Sequence, residues 1–477
     1  MEKEDRKEAE EIVRAPFVEL KEGIAEQAHD IRTGRTFYLY YDIATKQVSR
    51  KDELKDSGTI YRPIVNDHIK TRQVLLPSEV EEYGDDQKLA IEIEKYLDKY
   101  HQETDRFQRR LDILYILLTY VSFGKDCVGL LPQIPYRRRL GWYGSGKSRA
   151  TEVLGAICYR PFYIAGCASE AALRRRFDLW RGTAIIDEAD FSRSDLYSTI
   201  TKILNIGFDS HLGYYNMQDV EDPSKSYSLY VFGPKVMSTR AEFADLALES
   251  RCITAPTSDK TKPMPISLSE GFYEDAFHLR NKLTLWRFRR YHDFKKQVRR
   301  LEDPDLETEI FGGLKVSGRI MQVIAPLWLI ADQSLRGLIR EMAETLDSSI
   351  KAKDETYQTS IHVREALIQL LDFKSVEIQD RNELISLIES RGYRVSSAQI
   401  ISIPLRQIVQ RVLEGGYDEE GTASKRVANA IRKILRFTVK AGTGNRRIVL
   451  VPLSFIGELY PDLKLILEKG TLGTFEK

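Results

Sequence analysis

Hydrophobic and polar positions change period several times along the chain. Up to about Tyr83, short β-prone runs (Thr36–Tyr41, Gly58–Ile64, Gln73–Leu76) alternate with charged turns, which predicts a small, mostly β accessory domain over residues 1–84. From Asp85 to Phe123 the apolar residues recur at helical spacing: Leu89, Ile93, Tyr96, Leu97 and Tyr100, then Leu111, Leu114, Leu117 and Leu118. They predict a helical collar over 85–125. Between Arg137 and Thr257 short apolar runs alternate with helical segments, so 126–269 reads as a largely parallel sheet covered by helices. Residues 270–350 are helical again and predict a lid. A polar stretch, Lys351–Gln358, precedes a last domain over 355–465 that ends in helix, helix and hairpin. The fold class expected is α/β.

At 477 residues the chain is too long for one core, and about three domains are expected. The apolar fraction of 42% and charged fraction of 30% are those of an ordinary soluble protein. The net charge of +1 means that nucleic-acid binding must come from local basic patches. The four cysteines, Cys127, Cys158, Cys167 and Cys252, include no C-x-x-C pair, so neither a zinc ribbon nor a disulfide framework is indicated. They read as reduced thiols in a cytoplasmic protein. The charged start Met1–Glu11 cannot serve as a secretory segment, and the strongest apolar run, Ile113–Val121, is too short to span a bilayer.

Chemistry enters at Gly141-Trp-Tyr-Gly-Ser-Gly-Lys-Ser148, which fits G-x-x-x-x-G-K-[ST] at every fixed position. Gly141, Gly144 and Gly146 permit a backbone that turns successive N–H groups of the loop, through Ser145, onto phosphate oxygens. Lys147 can reach the β- and γ-phosphates of ATP, and the Ser148 hydroxyl can ligate Mg²⁺. A helix predicted from Arg149 to Cys158 aims its positive end at the same anion. Farther on, Thr183-Ala-Ile-Ile-Asp-Glu188 is an apolar strand ending in two carboxylates. Asp187 is the candidate holder of Mg²⁺, and Glu188 the candidate to polarise the attacking water.

The run Val231–Arg240 predicts a further strand with polar residues at its end. Thr239 resembles the sensor-1 residue of AAA+ ATPases, with Ser238 as the alternative. Ala247-Leu-Glu-Ser-Arg251-Cys-Ile, just before a predicted strand Cys252–Ala255, resembles the segment carrying the arginine finger in minichromosome-maintenance helicases. That makes Arg251 the candidate offered to a neighbouring site. Val316-Ser-Gly-Arg319 resembles the start of their sensor-2 helix, with Arg319 as the candidate.

Two elements suggest DNA. Tyr214–Tyr230 reads as a hairpin around Asp222-Pro-Ser-Lys225. Its position resembles the channel hairpin of hexameric helicases, whose tip lysine, here Lys225, grips phosphates. In the last domain, Leu405, Ile408, Val409, Val412 and Leu413 make one amphipathic helix. A second, capped by Thr422 or Ser424, carries an apolar seam of Val427, Ile431 and Ile434. Lys425, Asn429, Arg432, Lys433 and Arg436 form a basic stripe on another of its faces. A hairpin with Arg446 and Arg447 follows. Helix, helix and basic hairpin predict a winged helix whose second helix and wing suit duplex DNA.

Taken together, Pro132–Ala331 resembles the AAA+ ATPases of phages, plasmids and other mobile elements. Arg160-Pro-Phe, Ser169-Glu-Ala-Ala-Leu, Ile185-Ile-Asp-Glu-Ala-Asp-Phe191 and Phe232-Gly-Pro-Lys-Val carry the resemblance. It extends more loosely to MCM-like and superfamily 3 helicases. The resemblance implies a homo-oligomeric ring, a hexamer, that translocates on single-stranded DNA with ATP and Mg²⁺. The sequence departs from cellular MCM proteins in having no zinc ribbon and no OB-fold pattern at its N-terminus, and it has no primase or relaxase motif. Loader or regulator activity without unwinding therefore stays open, as does a signalling ATPase of the defence type.

Overall fold

The computed structural model describes residues 11–164, 169–187, 195–219, 222, 224–257, 263–373, 378, 380–414, 423–433, 435, 437–441, 447–460, 463 and 467. The chain divides into two compact units, Met1–Asp347 and Ser348–Lys477.

The first unit is built on a five-stranded parallel sheet. Its strands are β1 (Tyr136–Leu140), β2 (Phe162–Tyr163), β3 (Ala184–Ile186), β4 (Lys235–Thr239) and β5 (Cys252–Pro256), in spatial order β5-β1-β4-β3-β2. β3 is wholly buried, as an inner strand covered on both faces must be. Helices α1 (Asp86–Tyr100) and α2 (Arg106–Tyr120) begin where the side chains of Asp85 and Asp105 accept N–H bonds from Lys88 and from Phe107 and Gln108. Their apolar residues at three- and four-residue spacing join the core of the sheet.

Between the strands run α3 (Lys147–Gly155), α4 (Glu170–Trp180), α5 (Asp195–Ile206) and the short α6 (Leu246–Glu249). After the sheet come α7 (Glu270–Val298), α8 (Pro304–Phe311), α9 (Gly318–Ile330) and α10 (Gln333–Leu371). The polar stretch Lys351–Gln358, which precedes the last domain expected from the sequence, is helical and lies inside α10, a few residues past the division between the two units. No Gly or Pro follows Gly337 in that helix, so nothing in it stops propagation.

The residues before α1 form two small sheets. One is a four-stranded antiparallel meander, Phe17–Glu19, Gly23–Asp30, Arg35–Asp42 and Val48–Lys51. The other joins Glu11–Arg14 and Leu54–Asp56 to the two sides of Thr59–Arg62. A buried ionic knot ties the meander to the rest of the unit. Glu26 accepts from Arg160 at 2.9 Å, from Arg287 at 2.5 Å and from the Tyr159 hydroxyl at 2.9 Å.

The second unit has its own apolar core. It contains α11 (Arg381–Ser390), α12 (Leu405–Glu414) and α13 (Ala423–Lys433), followed by the hairpin strands Thr438–Ala441 and Arg447–Pro452. A strand before α12, Ile400–Pro404, pairs with the second arm of that hairpin.

Candidate nucleotide site

β1 delivers the chain to Gly141. A Cβ there would stand 1.8 Å from Thr257 Oγ1 and 2.5 Å from Ser145 Oγ, so no other residue fits. Gly144 and Gly146 take positive φ, 76° and 83°, and α3 starts at Lys147. The loop is braced internally. Ser145 Oγ donates to Trp142 O at 2.8 Å, and Thr257 Oγ1 lies 2.8 Å from Ser145 Oγ and 3.2 Å from Leu140 O. Lys147 is buried, with no hydrogen bond or ion pair among the described residues. Set at a helix N-terminus with no ion partner among the described residues, its ammonium is the electrostatic complement of a phosphate. Ser148 is exposed beside it, and Arg149 donates to Ile266 O at 2.6 Å.

Asp187 follows β3, two strands from the loop, with β4 between. Ser238 Oγ on β4 donates to Asp187 Oδ1 at 2.6 Å. The next residue, Thr239, points to the other side of the pleat. Its hydroxyl is buried with no partner among the described residues, and its carbonyl accepts the Gly141 N–H at 3.2 Å. Glu188 lies outside the described residues.

Arg251 stands at the opposite end of the sheet. Its carbonyl accepts the N–H of Tyr136, the first residue of β1, whereas Pro256 at the far end of β5 pairs with Leu140. Five residues of strand, about 16 Å, therefore separate Arg251 from the glycine loop of its own chain. Arg319 joins Arg251 there. The two guanidiniums lie 5.0 and 5.5 Å from the ring of Phe208, and Arg319 donates to Gln322 Oε1 at 2.9 Å. Burial, and next the charge of Arg251, lower the pKa of Arg319. Arg251 donates to Ala247 O, and its Nε is buried with no partner among the described residues. Two cations with a spare donor converge on one spot.

What holds Arg251 in place is a residue pair that the pattern of the sequence does not reveal. Arg138 of β1 makes a two-pronged bond to Glu249, 2.6 Å on each side, and a bond to Thr254 Oγ1 at 3.0 Å. Glu249 closes α6, two residues before Arg251, and also accepts the Phe243 N–H at 2.9 Å. On the other face of β1, Arg137 and Arg139 both bond to Asp112 of α2. Burial works against the Asp112 carboxylate, but Arg139, Arg137 and Arg109 outweigh it and hold its pKa below the usual range. The available signal was three arginines in an otherwise buried strand and an aspartate inside the apolar run of α2.

No family model matches the chain, and no curated protein matches it. Solved structures do. One is the active helicase Cch of an SCCmec type IV element, 8% identical, with 93% of this chain and 99% of that chain covered and a TM-score of 0.39. Two are apo A-form structures of the NrS-1 C-terminal region. They are 12% and 13% identical, each with 90% of this chain and 96% of that chain covered, at TM-scores of 0.29 and 0.28.

The hairpin arms are Tyr214–Gln218 and Ser226–Tyr230, paired from Tyr214↔Tyr230 to Gln218↔Ser226. Lys225 is exposed near the turn and forms an ion pair with Asp222 at 3.2 Å. The base of the hairpin is gripped by Lys235, which donates to Gly207 O, Val231 O and Gly233 O at 2.9–3.1 Å. Burial pushes the Lys235 pKa well down. In the second unit Lys425, Arg432 and Lys433 lie on the exposed face of α13, while Val427 and Ile431 are buried. Arg447 is exposed at the start of its strand. Arg436 and Arg446 lie outside the described residues. Among the described residues no helix is long and apolar enough to cross a membrane, and no cluster of three His, Cys, Asp or Glu side chains could hold a metal.

Proposed function

We propose that this chain is a Mg²⁺-dependent ATPase of the AAA+ type, resembling MCM-like and superfamily 3 helicases. In this reading it works as a DNA helicase or replication initiator of a mobile element. One observation carries the reading: in a parallel sheet ordered β5-β1-β4-β3-β2, the phosphate loop follows β1 and Asp187 follows β3, and Ser238 of the intervening β4 bonds to Asp187. The backbone of Gly144, Ser145 and Gly146 with Lys147 would hold the phosphates of ATP. Ser148 and Asp187 would hold Mg²⁺, which takes few protein ligands and the rest from phosphate and water. Bound there, the ion would supply charge neutralisation to the phosphates. Glu188 would orient the attacking water, with Ser238 or Thr239 steadying it.

The strand length between Arg251 and its own phosphate loop supports action in trans: Arg251, with Arg319, completes the site of a neighbouring copy in a ring, a hexamer by resemblance. The helix, helix and hairpin of the second unit support a winged helix over 355–465 that holds duplex through Lys425, Arg432, Lys433, Arg436, Arg446 and Arg447. The hairpin with Lys225 would grip the single strand in the channel. Residues 1–84, 85–125, 126–269 and 270–350 are then the accessory, collar, ATPase and lid regions. A forked-duplex unwinding assay with ATP, run beside particle images of the oligomer, tests this. Strand separation by ring-shaped particles is expected. Duplex binding without strand separation would replace the helicase by a loader or regulator, and hydrolysis indifferent to DNA would point to a signalling ATPase.

A further inference from the structure

Trp142 and Tyr143, two of the variable positions of the phosphate loop, are 86% and 87% exposed. Large aromatic side chains are ordinarily covered, and the other tryptophans of the chain, Trp180, Trp286 and Trp328, are all buried. Nothing in the loop's own geometry needs aromatic groups there, since the bracing runs through the Trp142 carbonyl, Ser145 and Thr257.

A receptacle exists at the other end of the same unit. Gln322, the residue bonded to Arg319, lines a cavity of about 300 Å³ between α8, α9 and the chain entering β1. Its walls are apolar, with Ile310, Phe311, Met321 and Ala325, and its rim carries Glu302 and Asp303. An indole N–H and a phenol O–H are donors on apolar bodies, and carboxylates on an apolar cavity are the matching acceptors.

We propose that the Trp142–Tyr143 pair of one copy docks into this cavity of the next copy. The occupant follows from position. Trp142 is two residues from Gly144, so it lies within about 7 Å of the phosphate cradle. The cavity in turn lies one residue contact from Arg319. Bringing the arginine pair of one copy to the phosphates of another therefore brings that copy's aromatic pair to the cavity. The contact is head-to-tail, since donor and receptacle lie at opposite ends of the sheet, which is the geometry that closes rings. The inference rests on the site being shared between copies.

The test uses the full chain with Mg²⁺ and a non-hydrolysable ATP analogue. Sedimentation follows assembly while acrylamide quenching follows tryptophan fluorescence. Trp142 alone should be quenchable in the free protomer, and assembly should remove that quenchable component. Ala325→Phe, which fills the cavity, should weaken assembly by about tenfold or more, the loss expected when an aromatic anchor is displaced. Oxidation of a Tyr143→Cys, Ala325→Cys double variant should give chains linked between copies, whereas each single variant should not.

Three results overturn one or both ideas separably. Particles in which Arg251→Ala and Lys147→Ala copies complement, yet Trp142 stays quenchable and no cross-link forms, remove the docking and leave the shared site. Cross-linking without complementation removes the shared site and leaves the docking. A chain that stays monomeric at every concentration removes both.

Discussion

The separation of Arg251 from its own phosphate loop can be put to a quantitative test by mixing two inactive variants. Lys147→Ala removes the ammonium proposed to neutralise the phosphates. Arg251→Ala removes the guanidinium and should still bind ATP, with turnover lowered by roughly 10³-fold or more, as for other loss of an arginine finger. With about 16 Å of strand between them, the two groups of one chain are too far apart to meet at one site. An intact site in a mixed ring therefore needs an Arg251→Ala copy supplying the loop and a Lys147→Ala neighbour supplying the arginine. In an equal random mixture each condition is met half the time, so about one quarter of the sites should recover. Phosphate release at fixed total protein should trace a bell against the mixing ratio, with its maximum at equal parts. Arg319→Ala should behave like Arg251→Ala, since both guanidiniums flank Phe208. A flat line at zero, in mixtures shown by differential tagging to co-assemble, would refute the shared site.

Glu188→Gln should keep ATP binding while hydrolysis falls steeply, and hydrolysis at the native rate would remove Glu188 from the chemistry. Glu249→Gln leaves Arg138 buried against a neutral partner and should destabilise the first unit by about 3–5 kcal/mol, read in thermal melts. An unchanged melting temperature would mean that this pair contributes nothing. Replacing Arg432, Lys433 and Arg436 with Ala should flatten the salt dependence of duplex affinity by about 0.9 logarithmic units per lost phosphate contact, with basal ATPase retained. Lys225→Ala should leave duplex binding nearly intact but lower unwinding per ATP hydrolysed, and normal coupling would dismiss the channel hairpin.

Much of the first unit was legible because its signals are local. Strand runs, the glycine spacing of the loop and the turn at Asp222 each depend on a few neighbouring residues. The start of α3 was misjudged by two residues: the helix begins at Lys147, since the loop hands its last N–H groups straight to the first turn. The polar stretch Lys351–Gln358 lies just past the point where the two units part, but the helix runs on through it, because polarity alone does not end a helix. The choice between Ser238 and Thr239 could not be read from sequence, because it depends on which face of β4 meets Asp187. Distant pairings stayed hidden for the same reason. Arg138 with Glu249, and Thr257 against Gly141, join residues more than a hundred positions apart.

The charges buried along β1 also bear on how the sheet finds its alignment. A strand carrying only aliphatic residues can slide between neighbours at small cost, but β1 presents Arg137 and Arg139 to one face and Arg138 to the other. A slip of one residue would set two guanidiniums of β1 against Glu249 and only one against Asp112, beside Arg109 of its own helix, in surroundings where unmatched charge is severely penalised. The native offset is thus the one in which buried cations and anions match. That same offset puts Leu140 opposite Pro256 and leaves Gly141 against Thr257. The ion pairs would then act during folding as a gauge that sets where the glycine loop begins, a role distinct from any stability they add to the finished sheet.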